Sequence, residues 1–295
     1  NRIGAPAVDH VRIQGLRGVR HRPALDLLGL PPGTELTPGR LLRGRRRLEE
    51  LPALRRARVD YRALEGDRAE VRVAAWERSP PTSSLPRAAA VAVRGLADRT
   101  LRLSWPSPTG GGEMLSGEWR WTPGRPAVTV AARAPGPGGV VAAWGVEGGW
   151  ERQSYAQAAE PPDLLVGDAA PGTGFEEERR RVELSAAEWL TGRLRVSAAA
   201  GLDRWTGGRL GQGDYPYLRT GLGTAWRTDG GGWTAGLRGA AWLPLSNGRP
   251  SFRTLAVGLR GRVGEPGRGV TALLRGGARR ATDGRDPRER ARRTR

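Results

Sequence analysis

Leu194-Arg195-Val196-Ser197-Ala198-Ala199-Ala200-Gly201-Leu202-Asp203-Arg204-Trp205 is the stretch that decides the fold. Leu194, Val196, Ala198, Ala200 and Leu202 are apolar, while Arg195, Ser197, Gly201 and Asp203 between them are polar or small. A period of two belongs to a strand, whose successive side chains point to opposite faces. The run is about twice as long as an ordinary soluble strand of 5–6 residues.

The same alternation recurs on both sides of it. In Arg253–Val263, Leu255, Val257, Leu259 and Val263 oppose Thr254, Gly258, Arg260 and Arg262. In Val140–Tyr155, Val140, Ala142, Trp144, Val146 and Trp150 oppose Glu147, Glu151, Gln153 and Tyr155. Trp233, Ala235, Leu237, Ala241 and Leu243 stand against Thr234 and Arg238. Weaker examples cover Ala89–Gly95, Thr100–Trp105, Glu113–Trp121, Ala127–Arg133, Arg181–Leu190, Tyr217–Arg227 and Val270–Arg279. The spacing therefore predicts about eleven antiparallel strands after residue 86.

A half-buried sheet in water would alternate in the same way. Three features favour a transmembrane β-barrel instead. The segments are long enough to span a bilayer as tilted strands. Their polar face mixes Arg, Glu, Gly, Thr and Ser, as a wet lumen would. Tryptophan is plentiful (11) and phenylalanine scarce (2), with Trp105, Trp121, Trp189, Trp205, Trp226 and Trp242 near strand ends, where interfacial girdles concentrate. Short turns at Thr122–Arg125, Asp229–Gly232 and Gly264–Arg268, beside the long connection Ala156–Glu178, fit short periplasmic and long external loops.

The first eighty residues read differently. Ala7–Gly15 is a predicted strand, Ala24–Leu30 a helix stopped by Pro31-Pro32-Gly33, and Thr37-Pro38 the cap and first turn of a second helix running to about Leu51. Ala57, Val59, Tyr61 and Ala63 then alternate with Arg58, Asp60 and Arg62, and Val71, Val73 and Ala75 with Arg72 and Ala74. The order is βααββ. Ser79–Pro86 lacks periodicity and is rich in breakers, so it is expected to be a linker.

That order resembles the polypeptide-transport-associated (POTRA) domain, through Val11-Arg12-Ile13-Gln14-Gly15, Leu30-Pro31-Pro32-Gly33, Leu41 with Arg47-Leu48, Ala57-Arg58-Val59, and Val71-Arg72-Val73 with Glu77. With the strands that follow, the chain resembles the POTRA-plus-barrel outer-membrane assembly and translocation superfamily of BamA/TamA type. The resemblance implies an α+β POTRA domain (7–78), a linker (79–86), an all-β outer-membrane barrel (87–280) and a polar Arg-rich tail (281–295). About eleven strands fall short of the family's sixteen. The late Arg-Gly-aromatic motif is missing, since Val93-Arg94-Gly95-Leu96 falls in the first predicted strand, and the chain does not close on an aromatic residue. A C-terminally incomplete sequence is the simplest explanation, and a smaller, divergent barrel the alternative. The start at Asn1 is consistent with a removed signal peptide or a missing N-terminus.

Within this resemblance the POTRA domain sits in the periplasm and receives unfolded clients by strand pairing at a sheet edge. The predicted client-binding edge comprises Arg56, Arg58, Asp60 and Arg62. Alternating charges there would equally solvate an exposed edge and deter aggregation. Expected partners are outer-membrane lipids, unfolded client polypeptides and periplasmic accessory proteins. An alternative function is a membrane anchor for an exported enzyme domain lying upstream.

The formal charge of +19 raises a third reading, a soluble nucleic-acid-binding protein. It is disfavoured because all 49 basic residues are Arg and they are dispersed, with 17 against 10 acids in residues 1–79 and 23 against 17 in residues 80–274. Only residues 275–295 are dense in charge, with 9 Arg against 3 acids. No enzymatic activity, metal or cofactor is expected. Cysteine is absent, and His10 and His21 are the only histidines. Ser154 and Ser185 have no histidine nearby in sequence. Gly110–Gly112 and Gly230–Gly232 read as turns, and Glu176-Glu177-Glu178 as a solvated charge run on a loop.

Overall fold

The computed structural model describes residues 5–80, 83–155, 175–207, 212–228, 231–246, 249, 251–263 and 270–282. The N-terminal unit consists of β1 (Ala7–Gln14), α1 (His21–Leu28), α2 (Pro38–Glu49), β2 (Leu54–Leu64) and β3 (Arg68–Glu77). Its sheet runs β1-β3-β2, with β1 parallel and β2 antiparallel to β3. Parallel pairing of the first and last strands requires a crossover, which the helices supply. Ala24, Leu27 and Leu28 of α1 and Leu48 of α2 share one buried core with Val8, Ala57, Val59, Val71 and Val73.

The helix ends follow local chemistry. Thr37 caps α2, its side chain accepting from Arg40 N at 3.3 Å, with Pro38 in the first turn. Gly29 closes α1 in the left-handed region (φ 63°), donating its N–H to Leu25 O. At Gly44 a Cβ would lie 2.5 Å from Leu28 O, so glycine permits the close approach of the two helices.

Glu77, at the end of β3, organises the loop after β1. Its carboxylate accepts backbone N–H groups from Arg17 (2.9 Å), Gly18 (2.9 Å) and Val19 (2.9 Å). Burial pushes this carboxyl up, but the three N–H donors outweigh burial and hold it below the usual carboxylate range. Its stabilisation is therefore fully present above the unfolded value near pH 4.5 and is lost as pH falls through the lower folded value. Replacing Glu77 with Ala is expected to cost about 1–3 kcal/mol. Hydrogen exchange at residues 15–20 measures it: protection falls at neutral pH in the variant, and the difference from wild type shrinks in acid.

The second half is a meander of β4 (Thr100–Pro106), β5 (Met114–Arg120), β6 (Ala127–Ala134), β7 (Ala143–Tyr155), β8 (Phe175–Trp189), β9 (Leu194–Gly207), β10 (Gly213–Thr228), β11 (Gly231–Trp242), β12 (Ser251–Val263) and β13 (Val270–Thr282). Each strand pairs antiparallel with its sequence neighbour, giving one ten-stranded sheet. Among the described residues, β4 and β13 are its two edges.

Ala89–Gly95, expected as the first strand, is instead part of a helix, α3 (Leu85–Asp98), which also takes up Leu85 and Pro86 from the expected linker. Alanine fills both faces of either period here, and Pro86 in the first turn favours the helix. Arg94 and Gly95 accordingly lie on a helix. Val140–Ala142 precede β7 and follow a short 3-10 turn (Pro137–Gly139). Glu176-Glu177-Glu178 is not a loop but lies within β8, in register with Ser154, Gln153 and Arg152 of β7. Strand direction also places Thr122–Arg125 at the end of the sheet where β7 finishes and β8 begins, so that short turn does not belong with the other two. Residues 229–230, 264–269 and the tail from 283 lie outside the described residues.

The two faces of the sheet differ as the alternation requires. The convex face exposes Val146, Val182, Leu184, Leu202, Leu218, Leu222, Leu237, Leu255, Val257 and Leu259. On β7 this apolar stripe runs from Trp144 to Trp150 and then gives way to Arg152 and Ser154. That is about 20 Å measured along the strand at 3.4 Å per residue. Trp105, Trp144, Trp226 and Trp233 are exposed among these residues. Trp189, Trp205 and Trp242 depart from the expected girdle, for each contacts the inner face or the N-terminal unit.

Candidate functional site

The concave face carries a network of charges set by strand register. Asp203 is fully buried and accepts from Arg179 Nε (3.1 Å), Arg179 Nη2 (2.7 Å) and Trp242 Nε1 (2.8 Å). Arg179 also stands over the Trp205 ring at 4.7 Å and lies 3.5 Å from Glu151. One layer nearer the N-terminal unit, buried Glu183 accepts from Tyr217 Oη (2.7 Å) and pairs with Arg219, while Arg181 pairs with Glu147. These side chains share a face because they sit at alternate positions of neighbouring strands. Each buried carboxylate has a guanidinium partner, without which its desolvation would be prohibitive.

The N-terminal unit is docked at the end of the sheet where β4, β6 and β8 finish. Glu50, just after α2, accepts from Arg195 Nε (2.7 Å), Arg195 Nη2 (3.2 Å) and Trp189 Nε1 (3.0 Å). Arg43 donates to Trp189 O (2.7 Å) and Glu188 (3.2 Å), and Arg47 Nε lies 3.0 Å from Glu188 as an ion pair. Arg47 also donates to Gly139 O. Backbone bonds from Arg20 N to Gly110 O (2.9 Å) and Ala53 N to Gly112 O (3.1 Å) add a second seam. A Cβ at Gly192 would lie 2.5 Å from Leu42 Cγ, and one at Gly112 would lie 2.6 Å from Leu51 Cδ1. The turns are glycine where α2 and its neighbours press on them.

The sequence-predicted edge residues lie elsewhere on the same unit. Arg56, Arg58, Asp60 and Arg62 are exposed along β2, which pairs with β3 on one side only. Arg58 Nε bonds Asp60 Oδ2 at 2.6 Å, and Arg56 stands over the Trp76 ring at 5.6 Å. Arg62 is in register with Glu70. The structure brings these four onto one surface and leaves them outside the concave network. Sequence reading missed that network and the docking residues, since their partners are 24–146 residues apart. Only the Arg and Glu alternation on the polar face hinted at them.

His10 is occupied by Asp9 (2.9 Å) and Glu70 (3.5 Å). Among the described residues no three His, Cys, Asp or Glu side chains are grouped to hold a metal ion. No described helix is long and apolar enough to cross a membrane, which says nothing about strands.

Against known proteins, no family model and no curated protein matches the chain. Solved structures do. CdiB from Escherichia coli shares 13% identity with a TM-score of 0.55, over 95% of this chain and 55% of that one. CdiB from Acinetobacter baumannii shares 9% identity with a TM-score of 0.56, over 94% and 53%. BamA from Haemophilus ducreyi aligns over 94% and 56%, with 9% identity and a TM-score of 0.48. The chain thus spans a little over half the length of the structures it matches. At this identity the likeness shows the fold alone, the one shared with the two CdiB structures.

Proposed function

We propose that the chain is part of an outer-membrane polypeptide assembly or translocation factor. In this reading residues 7–78 are a periplasmic POTRA domain and the ten-stranded sheet is part of a barrel wall, its convex face in lipid and its concave face lining the lumen. The single observation that carries it is the two-faced sheet: an exposed apolar face continuous across neighbouring strands on one side, and buried ion pairs on the other.

The edge of β2 holds an extended client through its unpaired backbone groups, with Arg56, Arg58, Asp60 and Arg62 flanking the bound strand. The barrel then inserts or passes the client, driven by client folding and burial in lipid rather than by a nucleotide or metal. The chain performs no covalent step of its own. Lipids of the outer membrane and periplasmic accessory proteins complete the set of partners.

A photo-crosslinking residue tests the edge. Placed at Arg58 or Arg62 of the full-length protein in detergent, it is expected to form adducts with a urea-unfolded porin added from denaturant. The same residue at Leu184, on the convex face, forms none. Equal labelling at all three positions, or none at Arg58 and Arg62, would overturn the edge assignment.

A further inference from the structure

Between the corner that joins α2 to β2 and the concave face of the long sheet lies a cavity of about 650 Å³. That volume is within the range of enclosed ligand sites. Its lining carries five arginines against two glutamates. Arg195 and Arg219 are already engaged, by Glu50 and Glu183 respectively. Arg133 and Arg238 have no hydrogen-bond or ion-pair partner among the described residues. Gly145 leaves room for the stem of Arg133, since a Cβ there would lie 3.1 Å from Arg133 Cγ.

We propose that this cavity is a binding site for the acidic side chains of an extended polypeptide, with Arg133 and Arg238 supplying the free guanidinium groups. The proposal rests on the reading of the chain as a polypeptide-handling factor and narrows its substrate class. Two observations point to a peptide carboxylate. First, the wall already takes carboxylates in this geometry, since Glu50 receives two donors from Arg195 and Glu183 pairs with Arg219. A guanidinium fork matches a carboxylate in just this way. Second, Leu51 and Pro52 line the cavity and β2 opens at Leu54, so a chain laid along the β2 edge runs out beside it. A lipid phosphate fits less well. Ser185 and Ser197 on the concave face border the space, and the lipid-facing surface is the opposite one.

The test uses the full-length protein in detergent and two short fluorescent peptides of equal length, one alternating Glu with Ser and the other Gln with Ser. The Glu peptide is expected to bind about tenfold more tightly, the order of one or two charge-assisted hydrogen bonds. That advantage disappears in the double variant Arg133→Gln/Arg238→Gln and weakens as salt is raised. Both arginines are exposed, so the variant should keep its fold. If it does not, Arg133→Lys/Arg238→Lys is used, and it should retain part of the preference. Equal binding of the two peptides by the wild type would overturn the proposal. So would binding of lipopolysaccharide that depends on the two arginines while the Glu peptide shows no preference. Crosslinking at Arg58 reports the edge separately: adducts there with no Glu preference would sink the cavity proposal alone, and loss of adducts would sink the reading beneath it.

Discussion

Replacing Asp203 with Leu is expected to destabilise the sheet by about 3–5 kcal/mol, the cost of removing one partner from a buried ion pair. Asp203 has no exposed surface, and it is the shared acceptor for Arg179 and Trp242. Without it, Arg179 keeps its ring contact with Trp205 and a longer approach to Glu151, but loses its only bidentate partner among the described residues. The same principle makes a second expectation: the double variant Arg179→Met/Asp203→Leu regains most of the loss, because an apolar pair of similar volume often substitutes for a buried ionic one. The temperature at which a folded, fast-migrating gel band converts to the unfolded form reads both results. Loss in the double variant equal to the two single losses combined would show that Arg179 and Asp203 do not act as a pair.

Leu184→Arg separates lipid from water as the solvent of the convex face. Leu184 is 57% exposed, between Val182 and Ala186 on β8 and in register with Val146 and Ala200. On a water-facing sheet such a change falls within about ±0.5 kcal/mol. At the midplane of a bilayer it costs about 2–4 kcal/mol. Ser185→Arg, one residue along and on the concave face, is the control and is expected to be tolerated. Urea titration of both variants folded into lipid vesicles measures the contrast. Equal stability for the two would mean that the apolar stripe does not face hydrocarbon.

How much of this was legible varies by element. Leu194–Trp205 betrayed both its strand and its faces, because Leu, Val and Ala alternate there with Arg, Ser and Asp. Thr37-Pro38 likewise announced α2. The run Arg87–Gly95 did not disclose its state. Alternating small residues satisfy a strand, while alanine is also the strongest helix former, and a short apolar run does not decide between them. The charged start of β8 was hidden for a different reason. The apolar pattern stops where the stripe stops, at Val182, yet the backbone ladder continues to Phe175 through Arg and Glu side chains that pair across strands, Arg179 with Glu151 and Arg152 with Glu178. Asp203 could be read as polar, but its partners on β8 and β11 follow from register alone. The docking of α2 on the sheet joins residues 145 apart in sequence, a distance at which periodicity carries no information.

The most direct test of the central claim is the fractionation and gel mobility of the full-length gene product, expressed with a signal peptide in a Gram-negative host. The expected result is recovery in the outer membrane, extraction only with detergent, and a band whose mobility changes on heating. A product that is soluble without detergent and migrates identically before and after heating would contradict it, and would return the sheet to water.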